Sequence, residues 1–109
     1  MADDPLSWLQ SFYRSLCDGD WEHSFGCDIG NVDNPGWTLT FDLTDTDFQS
    51  HLLDRCKEER SEDDWLHYWK EDVKFEGRCG PENLSELLTR FRHFIDGVAA
   101  KKVTEFQNA

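Results

Sequence analysis

The densest run of reactive side chains is Cys17-Asp18-Gly19-Asp20-Trp21-Glu22-His23-Ser24, which sets three carboxylates, an imidazole and a thiol within eight residues. Such a set invites metal binding, acid–base catalysis or thiol chemistry, and each needs more than is written there. An EF-hand calcium loop continues through twelve residues to a bidentate Glu, and Asp18-Gly19-Asp20 does not continue that way. Zinc signatures space their Cys and His ligands differently from Cys17, His23 and Cys27, and the other two cysteines, Cys56 and Cys79, lie far along the chain. General acid–base work needs facing carboxylates, which Asp20 and Glu22 would supply only through a particular loop fold. Cys17 with His23 lacks an orienting third group, and the chain contains no GxSxG, P-loop, HExxH or GxGxxG. The expectation is therefore no catalytic residue, no metal ligand set and no cofactor.

The elements that must position this run can be read from periodicity. Asp4-Pro5 pairs an N-cap with proline at the first helical position, and Leu6, Leu9, Phe12, Tyr13 and Leu16 recur at helical spacing, so a helix is expected from about Pro5 to Cys17. Asp18-Gly19-Asp20 stops it. Partial alternation from Phe25 to Asp33, the turn formers Asp33-Asn34-Pro35-Gly36, and a strict period of two from Trp37 to Thr44 predict a hairpin. A third strand is expected within Phe48 to Glu58, a solvated turn over Glu59 to Asp64, and a fourth strand over Trp65 to Glu71. On that strand Trp65, Tyr68 and Trp69 cannot all face one side, so at least one aromatic is expected to be partly exposed.

Gly77-Arg78-Cys79-Gly80-Pro81 reads as a breaker cluster. After it, Leu84, Leu87, Leu88, Phe91, Phe94, Ile95 and Val98 form a helical stripe, opened by Pro81 or by an Asn83/Glu86 capping box and closed at Gly97. The predicted class is α+β: an antiparallel meander of about four strands with an N-terminal and a C-terminal helix packed against it. One domain over residues 1–109 is expected, with residues 101–109 as a flexible tail.

Composition narrows the function classes. Five Trp, eight Phe and two Tyr supply an aromatic core despite the high charge. Eleven basic residues against 23 acidic ones leave a formal charge of -12, which repels nucleic-acid backbones and anionic membranes and attracts basic protein surfaces. No apolar run approaches a membrane span and the start Met1-Ala2-Asp3-Asp4 is not a signal peptide, which points to the cytoplasm and to Cys17, Cys27, Cys56 and Cys79 as free thiols.

Trp8-Leu9, Cys17-Asp18-Gly19-Asp20-Trp21-Glu22-His23, Asp33-Asn34-Pro35-Gly36-Trp37, Asp42-Leu43 and Gly80-Pro81-Glu82-Asn83-Leu84 together resemble the immunity protein 53 family of bacterial polymorphic toxin systems. The resemblance runs from about Leu6 to Ile95, with none of its motifs between Thr46 and Asp64. It implies a cytoplasmic antidote that binds the C-terminal domain of a cognate secreted toxin and has no enzymatic activity. Nucleases are frequent among such toxins, and the charge suits a basic face on the partner. Asp18, Asp20, Trp21, Glu22, His23, Asp33, Asn34 and Trp37 are then the expected partner-binding residues, with carboxylates pairing to Lys and Arg and aromatics as anchors. Two other classes stay open: a general acidic interaction module or nucleic-acid mimic, and a small metal-dependent hydrolase on the Asp18–His23 loop.

Overall fold

The computed structural model describes residues 4–108 along the backbone, and side chains for residues 4–101. Helix α1 (Pro5–Leu16) begins as the sequence predicts, with the Asp4 carboxylate accepting from the Ser7 N–H at 2.9 Å and Pro5 at the first helical position. A one-turn helix α2 (Trp21–Ser24) occupies what reads as a loop in sequence. Five strands follow, β1 (Cys27–Val32), β2 (Gly36–Asp42), β3 (Leu53–Ser61), β4 (Asp64–Glu71) and β5 (Lys74–Cys79), and then the long helix α3 (Leu84–Asn108).

All strand pairs are antiparallel and the sheet order is β1-β2-β5-β4-β3. The architecture is thus the expected α+β one with five strands instead of four, and the sheet is not the expected meander, because β5 inserts between β2 and β4 and leaves β3 at the far edge. The extra strand is the central one. β5 lies in the segment that reads as a breaker cluster, and Gly77 explains the mismatch: a Cβ there would sit 2.6 Å from Leu87 Cδ1, so the glycine lets α3 lie directly on the middle of the sheet. Its neighbours alternate normally, with Phe75 and Cys79 fully buried.

β3 also departs from its expected position, starting at Leu53 and running through the charged stretch to Ser61. It is an edge strand with register irregularities, and edge strands are commonly charged and bulged because their free edge must not invite further pairing. α3 does not stop at Gly97 but continues to Asn108. Nothing lies within 4 Å of where a Gly97 Cβ would be, and its φ is not in the left-handed region that a glycine helix stop needs. The expected flexible tail falls, beyond Lys101, on side chains outside the described residues.

Both long helices cover one sheet face. Directly paired residues in an antiparallel sheet share a face, and Leu39, Phe41, Phe75, Cys79 and Leu66 all turn toward the helices and are fully buried. Phe91 of α3 sits 4.9 Å from the Phe41 ring and 4.7 Å from that of Phe75, and Trp8 and Phe12 of α1 close on it from the other side. At the start of α3, Asn83 joins helix to sheet: its Oδ1 accepts the Trp65 N–H, while its Nδ2 donates to Asp64 and Glu86. The residue that reads as half of a capping box therefore serves a tertiary link.

The same junction carries an ion network. Arg90 donates to both carboxylate oxygens of Glu58, at 2.7 and 2.8 Å, and Arg60 bridges Asp64 and Glu86. The Arg90 guanidinium, with help from the Tyr68 hydroxyl, holds the Glu58 carboxyl down to about 2. A carboxyl depressed in the folded state stabilises the protein above its unfolded pKa of about 4.5, and that contribution fades as pH falls from there toward 2. Because Glu58 keeps 31% of its side chain exposed, screening leaves about 1–2 kcal/mol. Urea unfolding at pH 7 and at pH 3 should therefore show a smaller acid-induced loss in Glu58→Gln than in the parent. Equal losses would remove Glu58 as a contributor.

Candidate functional site

The residues singled out in the sequence fall at the two ends of β1. Asp18 to His23 precede it and Asp33, Asn34 and Trp37 follow it, so six residues of extended chain, about 20 Å, lie between the groups.

At the first end the acidic side chains are spent locally. Asp18 Oδ1 accepts the N–H groups of Asp20 and Trp21, and those two bonds hold its carboxyl below the usual range. Glu22 turns back to accept from Asp18 and Gly19, and its carboxyl is likewise lowered by backbone N–H groups, its own first among them. These bonds shape a sharp reversal in which Gly19 takes a φ of +97°, a conformation open to glycine at little cost. Trp21 is a core residue, 5% exposed, with its Nε1–H donated to the Thr44 carbonyl and its ring against Phe41, Phe25 and Tyr13. A side chain so enclosed cannot anchor a partner. Asp20 and His23 remain exposed. Among the described residues no group of three or more His, Cys, Asp and Glu comes together to hold a metal ion.

The second end opens onto the sheet face that the helices leave uncovered. Thr38 of β2, Arg78 of β5 and His67 of β4 are paired across three adjacent strands and form one row on that face. Trp65 and Trp69 flank His67 along β4, while Leu66, Tyr68 and Lys70 turn to the helices, so the fourth strand divides its aromatics between the two faces as its spacing requires. Around this row is a groove of about 580 Å³. One wall is the β1–β2 turn with Val32, Asp33 and Asn34, the other is the β3–β4 hairpin with Glu59, Ser61 and Glu62, and Trp65 and His67 lie on its floor. Trp37 lines one end, its Nε1–H donated to the Pro81 carbonyl at 3.0 Å.

Three of the expected binding residues, Asp33, Asn34 and Trp37, thus meet in one concavity, whereas the Asp18–His23 group stays apart from it. Sequence reasoning passed over Trp65, His67, Glu59, Glu62 and Arg78 as site residues. The signal for the first two is the alternation Trp65, His67, Trp69 against Leu66, Tyr68, Lys70, which puts large rings on a face that no second layer was predicted to cover. Glu59 and Glu62 lie in what reads as a solvated turn, and Arg78 belongs to β5, a strand the sequence does not reveal.

His67 Nε2 donates to Glu59 at 2.6 Å, so those two side chains pair with each other within the groove. All four cysteines are free, Cys79 is buried, and burial pushes its thiol up to about 11. No helix of the described residues is long and apolar enough to cross a membrane.

No curated protein and no solved structure matches the chain. A family model does match, that of immunity protein 53, over residues 6–96. The match takes in α1, the whole sheet and α3 as far as Asp96, including both walls of the groove and the Asp18–His23 reversal. With nearly the entire fold inside it, the chain belongs to the immunity protein 53 family.

Proposed function

We propose that this protein is a cytoplasmic antidote that binds the C-terminal domain of a cognate secreted toxin in a stoichiometric complex and blocks its action, without chemistry of its own. The observation that carries the reading is the family match over residues 6–96. The formal charge of -12 supports a partner with a basic face, of the kind a nuclease uses to hold nucleic acid, because opposite fields steer encounter and disfavour wrong partners. An uncovered sheet face bearing two tryptophans adds the aromatic anchors that protein interfaces favour.

The test is co-expression with the C-terminal domain of the neighbouring toxin, scored by survival, followed by calorimetric titration of the purified pair. Rescue and a one-to-one complex are expected, with the dissociation constant rising about tenfold or more between 50 and 500 mM salt as screening shortens the reach of the charges. Similar affinity for unrelated basic proteins would instead favour a general acidic module. Neither rescue nor complex would end the antidote reading.

A further inference from the structure

Resting on the antidote reading, we propose that the groove on the uncovered sheet face seats a basic side chain of the toxin, an arginine or lysine. Its charged head would lie over the Trp65 ring between the carboxylates of Asp33 and Glu62. The argument starts from what this sheet face already does with its other tryptophan. Trp69 carries the Arg55 guanidinium 4.0 Å over its ring and that of Arg78 at 5.6 Å. Trp65, four residues away on the same face, has no such cation among the described residues; its ring neighbour is His67 at 5.1 Å. A cation over a tryptophan face is attracted by the ring's negative face, and the attraction grows as water is excluded. The face therefore holds one filled cation platform and one open one.

The charges around the open platform fit the same occupant. Asp33 on one wall and Glu62 on the other have no hydrogen bond or ion pair among the described residues, although both line the groove. Among the described residues the Glu59 side chain is engaged only with His67. Against these three carboxylates the lining offers one permanent cation, Arg78, and its guanidinium is already tied to the Gly77 carbonyl. An anionic or purely apolar guest would leave those carboxylates uncompensated as water is displaced, at a cost that a guanidinium or ammonium removes. A groove of about 580 Å³ also has room for the residues flanking that side chain.

The experiment titrates the toxin domain with the parent chain and with Trp65→Ala, the double variant Asp33→Lys/Glu62→Lys, Asp20→Lys and Asp96→Lys, each checked for folding by circular dichroism and thermal melting. Asp96 lies on α3, outside the groove lining, and is mostly exposed, so its reversal, which also removes a surface ion pair to Arg92, controls for a charge change away from the groove. The groove variants should weaken the complex about 100-fold, with Asp96→Lys within about threefold of the parent. The double variant changes only exposed carboxylates, so it tests the proposal even if Trp65→Ala misfolds. Restored affinity when one toxin arginine or lysine is changed to Glu opposite the double variant would identify the seated residue. Parent binding with groove variants unchanged, or a loss confined to Asp20→Lys, would overturn the groove while leaving the antidote reading intact; a parent that does not bind at all overturns both.

Discussion

Replacing Phe91 with Ala is expected to lower the unfolding free energy by about 3–5 kcal/mol, the range for large aromatic-to-alanine changes in a packed core. Phe91 is fully buried, and its ring lies within 6 Å of those of Trp8, Phe12, Phe41 and Phe75. Those four come from α1, β2 and β5, so this one side chain of α3 is where both helices and the centre of the sheet meet. Removing it deletes the ring's burial and leaves a void lined by large aromatic groups that cannot all turn inward without leaving their rotamers. Domains of this size have total stabilities of about 5–15 kcal/mol, so the variant should sit near its unfolding threshold. Urea unfolding followed by tryptophan fluorescence measures the change, read from the midpoint at constant slope. A loss under about 1.5 kcal/mol would mean that the core repacks and that Phe91 is not its hub.

The second large effect is expected at Gly36, where the groove wall meets the central sheet. A Cβ on this residue would stand 2.3 Å from the Cys79 carbonyl oxygen and 3.4 Å from Val32 Cγ2. The near atom is backbone and belongs to β5, the strand paired with β2 on its other side, so the clash cannot be relieved by a rotamer change. Gly36→Ala should cost about 2–3 kcal/mol through forced separation of the strands, near the upper end of overpacking penalties. It should also reduce toxin affinity, because the displaced strand carries the turn with Asp33 and Asn34. Thermal melting reads the first effect and calorimetry, below the melting range, the second. Unchanged melting would show that β2 and β5 can part locally at no cost. Lost stability with full affinity would show that the turn is not part of the interface.

These two positions also separate what could be read along the chain from what could not. The heptad-like stripe through Leu84, Leu88, Phe91 and Ile95 marks Phe91 as core before any coordinates are known, since a helical face of that width must be buried. The Asp33–Gly36 turn is equally legible, because its residue types are the ones that reverse a chain. Neither signal says that Gly36 lies under the Cys79 carbonyl. That contact follows from β5 entering the sheet between β2 and β4, a pairing across more than thirty residues of chain.

The sequence by itself determined the α+β class, the N-capped first helix, the β1–β2 hairpin, the start of the last helix and the family. Those rest on local periodicity, on capping and turn chemistry, and on motifs, all of which act over a few residues or are written directly in the chain. Tertiary structure decided the rest. It made a strand of Lys74–Cys79, since burial under α3 outweighs the weak strand preference of Gly77. It carried α3 through Gly97, where one unfavourable residue is outvoted by the buried face on either side. It sent Trp21 into the core and spent Asp18 and Glu22 on their own backbone, leaving Asp33 and Asn34 to share a groove with Trp65, His67 and Glu62. The groove is built from five strands, and the pairing that brings its two walls together, β2 with β5, joins segments more than thirty residues apart; such long-range pairing is chosen by the packing of the whole core, which no local stretch of residues encodes.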